Sequence, residues 1–451
     1  MRSRSAAAGG ARYKVAVLRK GRSIMELALT SFACRSVALA GAAALGAGLV
    51  SAQTTQVVRP PVAQAWIDVA TFSGLGMPAG MAGGNPMAML GSLFGGGAQK
   101  VPFGMTQSFS SGRFVDVTLA TRRNPQLAEA EQQVPAGFMS PALQLRAPPQ
   151  APAAPAAERD DEVMPEREAE RPKGRLLLYW GCGTEVRPGQ PKVLDMASAS
   201  ATDLAQFFQS RRATQRGAHL AAGRPSWPNA TDGRSVPAQA SLAGEHAFSG
   251  AGVPEGFRFT VGAAQDFMPP LAVEQQDQGG STLLSWTTAP QVRGTFIAGM
   301  GARGENEMVI WTSSELPDIG FGLVDYQTNA AVERWVRENV LLAPAVTRCS
   351  VPRGVFTGDG AMLRSIAYGP ELNLAHPPRP SDPRTPWEPE WAVKLRVKAV
   401  HTAMLGMPSM GRPGPGGDPD PAAADKAESP SDKKPEKKPS ALDILRGVLG
   451  R

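Results

Sequence analysis

Histidine is the first shortage: His219, His246, His376 and His401 are the only four in 451 residues, and more than twenty positions separate each from the next. No helix or loop can therefore present two imidazoles at the short spacing of a zinc site. H-E-x-x-H, C-x-x-C, the P-loop and the G-x-S-x-G nucleophile elbow are absent as well. A catalytic triad gathered from distant positions stays open, but no local motif points to one.

Cysteine is equally scarce, at Cys34, Cys182 and Cys349, which excludes a zinc ribbon. Long apolar runs are missing too. The longest, Ser36 to Val50 (SVALAGAAALGAGLV), is rich in Ala and Gly and falls short of the roughly 20 residues that span a bilayer. Excess charge is missing where it would matter. The formal net charge is +7, yet residues 1–52 hold eight basic residues and one acidic; removing these from totals of 47 and 40 leaves 39 of each. A neutral body excludes the basic footprint that a nucleic-acid backbone requires.

What is present begins with a leader. A basic stretch, the apolar run and Val50-Ser51-Ala52 before Gln53 form the three parts of a secretory signal cleaved after Ala52. The expected location is periplasmic or extracellular; the alternative is an inner-membrane anchor formed by an uncleaved leader. Cys182 and Cys349 then remain as an even pair in a compartment that permits oxidation. The sequence allows either a disulfide between them or two separate buried thiols.

Gly 49 and Pro 41 favour short strands and many turns. The pattern predicts a mainly β protein of antiparallel β-sandwich type, with a few short helices, a disordered linker and a disordered C-terminal tail. After the signal at 1–52 come an N-terminal β region (53–146), a Pro-rich and charged linker (147–173) and a main sandwich-like domain (174–350). A C-terminal β region (351–410), a disordered tail (411–439) and a short amphipathic helix (440–451) complete the chain. Alternation predicts a strand over 66–72, and the chain returns as a strand over 114–119; 175–180 is a buried-strand candidate, and strands recur at short intervals over 257–261, 283–287, 294–298 and 307–312. Residues 281–301, with Trp286 and Phe296 inward, loosely resemble an early hairpin of a fibronectin-type sandwich.

Asn124-Pro125 predicts a helix start running to about Gln133. Thr202 or Asp203 is expected to cap a helix carrying Leu204, Phe207 and Phe208. Val332, Trp335, Val336 and Val340 have helical spacing. Residues 391–400 alternate apolar with basic, as a half-buried or edge strand does. Two Trp-led strands are followed by similar segments, Leu75-Gly76-Met77-Pro78 and Leu405-Gly406-Met407-Pro408. The echo fits neighbours in one sheet, with residues 351–410 pairing with the N-terminal region, and it fits coincidence.

Gly299-Met300-Gly301-Ala302-Arg303-Gly304 matches G-x-G-x-x-G, but a strand follows it where phosphate binding needs a helix. The nearest approach to a chemical cluster is His401, Met404, Met407 and Met410, soft donors suited to Cu(I); Met77, Met81, Met87 and Met89 form a second patch. Packing is the plainer role for both. Most tryptophans read as core, with Trp227 and Trp387 in Pro-rich loops as the surface candidates.

The leading expectation is an exported, non-catalytic binding or structural module with an unidentified envelope or protein partner, no cofactor and no nucleic acid. The tail helix, with Lys433-Lys434 and Lys437-Lys438 before it, offers a peripheral membrane or partner contact. Copper(I) handling is one alternative, and an envelope hydrolase with a dispersed site is the other.

Overall fold

The computed structural model describes residues 56–74, 101–108, 110–139, 142–149, 174–213, 217–357 and 360–406. The expected leader and its expected cleavage point after Ala52, most of the expected linker, the expected tail and tail helix, Met407, Met410 and the 77–89 methionines lie outside the described residues.

Sixteen strands are described: β1 (Ala63–Gly74), β2 (Gly112–Thr121), β3 (Glu129–Gln133), β4 (Ala142–Arg146), β5 (Arg175–Trp180), β6 (Lys192–Asp195), β7 (Ser226–Trp227) and β8 (Gly244–Gly250) in the first half. The second half adds β9 (Arg258–Val261), β10 (Val273–Asp277), β11 (Thr282–Trp286), β12 (Gly294–Arg303), β13 (Glu307–Thr312), β14 (Arg348–Val351), β15 (Met362–His376) and β16 (Trp391–Met404). The helices are α1 (Ala201–Phe207) and α2 (Asn329–Arg337). The chain is mainly β and sandwich-like. Thirteen strands form one sheet in the order β6-β5-β13-β12-β15-β16-β1-β2-β7-β4-β3-β8-β9, and β10-β11-β14 form a second. Strands from before residue 146, from 175–312 and from after 362 all enter the large sheet.

Most neighbours are antiparallel, but β1 runs parallel to β16 and β5 parallel to β13. The two Trp-led strands thus lie side by side in mid-sheet. Alternation sends Ile67, Val69, Val117, Leu395, Val397, Ile297 and Val309 to one face. There they share a core with Leu284, Trp286 and Val351 of the small sheet. The other face carries two smaller apolar clusters, one with Phe207 of α1 and one with Val332 and Trp335 of α2. Further along β2, β1, β16 and β15, beside the α2 cluster, this face turns polar.

Cys182 and Cys349 form a disulfide with Cα atoms 5.1 Å apart, joining the turn after β5 to β14. It therefore ties the large sheet to the small one. The flanking Gly183 N–H donates to the Ser350 carbonyl at 3.0 Å, a backbone approach that a glycine permits. A disulfide is the chemistry of an oxidising compartment. Among the described residues, no helix is long and apolar enough to cross a membrane.

Several local expectations are corrected. No helix follows Asn124; its side chain accepts from Gln126 N–H at 3.3 Å, closing a turn. The next residues form β3, because Ala130 and Gln132 alternate inward between β4 and β8. Ser200, two residues before Thr202, caps α1 in a reciprocal box with Asp203. Val340 lies beyond α2, whose end is closed by Asn339 in the left-handed conformation (φ 56°). Trp286 and Phe296 do not share a hairpin: β11 pairs with β10 and β14, and β12 with β13 and β15. The G-x-G-x-x-G stretch is the end of β12 and its turn into β13, with Gly304 at φ 62°.

The largest correction concerns β16. It is no edge strand: it lies between β15 and β1, and its basic residues Arg396 and Lys398 are buried. Alternating polarity usually marks a solvated face, but here the neighbouring strands set Asp68 and Glu371 in register with Arg396.

Candidate functional site

Four adjacent strands, β2, β1, β16 and β15, build the polar face, and their registers stack its side chains into rows. The first row is Ala120, Gln64, Ala392 and Ala375; the second is Thr118, Trp66, Lys394 and Asn373. The third is Asp116, Asp68, Arg396 and Glu371, and the fourth is Phe114, Ala70, Lys398 and Tyr368. Polarity therefore changes along the strands, from an open floor to a buried ionic row and then to core.

The ionic row is 2–7% exposed: Asp116 2%, Asp68 3%, Arg396 4% and Glu371 7%. Arg396 Nε and Nη2 donate to the two carboxylate oxygens of Asp68 at 2.7 and 2.6 Å, a bidentate pair. Ala218 N–H donates to Asp68 Oδ2 at 3.1 Å. A Cβ on Gly217 would overlap Arg396 Nη2, so only glycine lets this loop close over the pair. Tyr326 lies above, its ring centroid 4.4 Å from Arg396 Cζ and 4.2 Å from Lys398 Nζ. Burial pulls the Arg396 guanidinium down, but Asp68, helped by Tyr326 and Asp325, turns the net direction up. Glu371 pairs with Lys394.

Two members of this neighbourhood titrate outside their ordinary ranges. Asp116 is raised to about 6, chiefly by burial. Hydrogen bonds from Thr106 and from the Gly104 N–H (2.8 Å) oppose the rise, and the charge of Asp68 directly across the strand pair adds to it. Lys398, 0% exposed, is lowered to about 7 by burial, with Asp325 (4.0 Å) opposing. Its ammonium has no hydrogen-bond partner.

The consequence for stability has a definite sign in each case. Below pH 7 the unfolded chain binds a proton at Lys398 without the cost of burial, so this lysine destabilises the fold there and the cost fades as pH rises toward 10. Stability should climb by about 3 kcal/mol between pH 7 and 10 from this group. Asp116 works on the other side: the folded state holds its proton more tightly, so stability falls by about 2 kcal/mol as pH rises from 4 to 6. Urea unfolding across pH 4–10 should show a minimum near pH 6–7. Lys398→Met should flatten the alkaline limb and Asp116→Asn the acid limb; limbs that survive these substitutions belong to other groups.

Apart from the buried Thr118, the first two rows are open. One hollow of about 540 Å³ is lined by Pro60, Pro61, Gln64, Trp66, Arg122 and Arg224 among others. A second, of about 370 Å³, is lined by Gln64, Asn373, Arg379, Trp387 and Lys394 among others. They share Gln64 and so adjoin across the four strands, and the pair is called the groove below. Arg224 stacks over Trp66 at 4.6 Å and Arg379 over Trp387 at 5.7 Å. Arg224 also donates to the His219 ring, and burial lowers its guanidinium.

The residues singled out from sequence fall elsewhere. His401 lies on the core face of β16, its Nδ1 3.2 Å from Ser73 Oγ, and burial lowers its imidazole. Met404, three positions on, projects from the opposite face, because strand side chains alternate. The two therefore do not converge on one ion. Among the described residues, no group of three or more His, Cys, Asp or Glu side chains is placed to hold a metal. Trp227 is buried (1% exposed) at 6.4 Å from the Phe138 ring, and its surface assignment is corrected. Trp387 does line the groove. Trp66, Arg224, Arg379 and Gln64 were missed, because only strand pairing brings them together. No protein-family model matches the chain, and neither a curated protein nor a solved structure matches it.

Proposed function

We propose that this chain is an exported envelope protein that binds a ligand without transforming it, and that the ligand lies in the groove over Gln64, Trp66 and Lys394. One observation carries the reading: an open groove on a rigid sheet face, floored by alanines and walled by indole, amide and guanidinium groups. Sites of this kind hold ligands by a few placed polar groups beside apolar surface. The leader and the disulfide support export to the periplasm or beyond. The ionic row beside the groove, next along the same face, is closed over by Gly217, Ala218 and Tyr326, so it does not meet ligand.

The test is a defined panel of neutral and acidic oligosaccharides, short peptides and phospholipid headgroups, read by tryptophan emission and thermal shift. At least one class should bind. Trp66→Ala should weaken that binding roughly tenfold or more, about 1.4 kcal/mol, with the melting temperature little changed. Binding indifferent to Trp66→Ala and Gln64→Ala would remove the groove from consideration.

A further inference from the structure

Building on the groove reading, we infer that the ligand is an acidic oligosaccharide, laid across the strands with its carboxylates on Arg224 and Arg379. Charge supplies the first argument. Lys394 is matched by Glu371, and Arg122 by Glu388. Arg224 and Arg379 have no acidic partner among the described residues, and Arg379 Nε donates only to Gln56 Oε1, at 2.5 Å. Each guanidinium lies over an indole; Arg224 spends Nη1 on His219 and Arg379 spends Nε on Gln56, so Nε and Nη2 of Arg224 and the two Nη groups of Arg379 remain to meet an anion.

Position supplies the second. Arg224 lines the hollow at the β2 side and Arg379 the hollow at the β15 side. The floor between crosses four strands, about 14 Å at the usual strand spacing. A ligand satisfying both ends is therefore elongated and anionic at separated points, as a short chain of uronate sugars is.

The third argument separates sugar from acidic peptide. A peptide that pairs by its backbone needs a free sheet edge, but β2, β1, β16 and β15 are all interior strands whose ladders are taken. What the groove offers instead is side-chain chemistry. The amides of Gln64 and Asn373 each combine donors with an acceptor, matching hydroxyls that do both. The alanine floor of Ala120, Ala392 and Ala375 leaves a shallow surface for rings.

The experiment titrates the purified full chain with trigalacturonate, with maltotriose as the neutral trisaccharide and tetraglutamate as the acidic peptide, all read by tryptophan emission. Trigalacturonate should bind saturably. Arg224→Gln and Arg379→Gln should each weaken it roughly tenfold or more, with melting temperatures unchanged, and maltotriose should bind at least that much more weakly. Equal binding of maltotriose that depends on Trp66 overturns the acidic class and leaves the groove standing. Tighter binding of tetraglutamate overturns the sugar. Trigalacturonate binding indifferent to both arginine variants, or absent, overturns the proposal. Any bound ligand unaffected by Trp66→Ala defeats the groove reading itself.

Discussion

Asp68→Ala should lower the unfolding free energy by about 3–5 kcal/mol, because it leaves Arg396 charged and buried without its bidentate partner. The guanidinium cannot escape by losing its proton. Nor can it reach water, because Gly217 and Ala218 close over it on one side and Tyr326 on the other. The compensating pair Asp68→Leu with Arg396→Met should recover much of the loss, since apolar residues of similar size often replace a buried ion pair at little cost. Urea unfolding followed by tryptophan emission at pH 7 measures both. A loss below about 1 kcal/mol for the single variant, the range of exposed ion pairs, would mean that the row is solvated and the description above is wrong.

Loss of the disulfide should have an effect of similar size by another route. The bond closes a loop of 167 residues, and the chain-entropy account gives about 5 kcal/mol for a loop of that length. That is a large part of the 5–15 kcal/mol by which folded chains usually exceed their unfolded states. Oxidised protein should show no free thiol when denatured, and reduction or Cys182→Ser with Cys349→Ser should bring the urea midpoint down sharply. The large sheet, with its own pairing, should melt together with the small one. If the reduced protein instead keeps its midpoint while only β14 exchanges its amide hydrogens faster, the link is local and the entropic argument fails.

Local pattern was informative wherever a strand faces core on one side. The strands around Ile67, Val117 and Leu395 were legible from alternation, Glu307–Thr312 from a short apolar run buried on both faces, and the mainly β class from both. Three kinds of error remained. The Asn124-Pro125 pair carries helix-start chemistry, but the residues after it find their partners in β4 and β8. Trp227 sits between prolines and so resembles a loop residue, yet Phe138 covers it. The basic stripe of β16 resembles a solvated edge because opposite charges in Asp68 and Glu371 are remote in sequence. The 328 positions between Asp68 and Arg396 hide the pairing from any short window. The groove was hidden for the same reason, since its floor takes one residue from each of four strands.

The adjacency of β1 and β16 also orders events in time. Contacts this remote in sequence slow folding, because the loop between them must close before the contact returns any free energy. A chain that emerges N-terminus first can form the β1–β2 hairpin early. The far side of β1 then remains an unpaired edge until Trp391–Met404 arrives, and such an edge invites pairing with other chains. A chain truncated before residue 391 would leave β1 and β15 as unpaired edges. The final strand therefore acts as a keystone, and a helper that shields β1 until it is set would raise the yield of native protein.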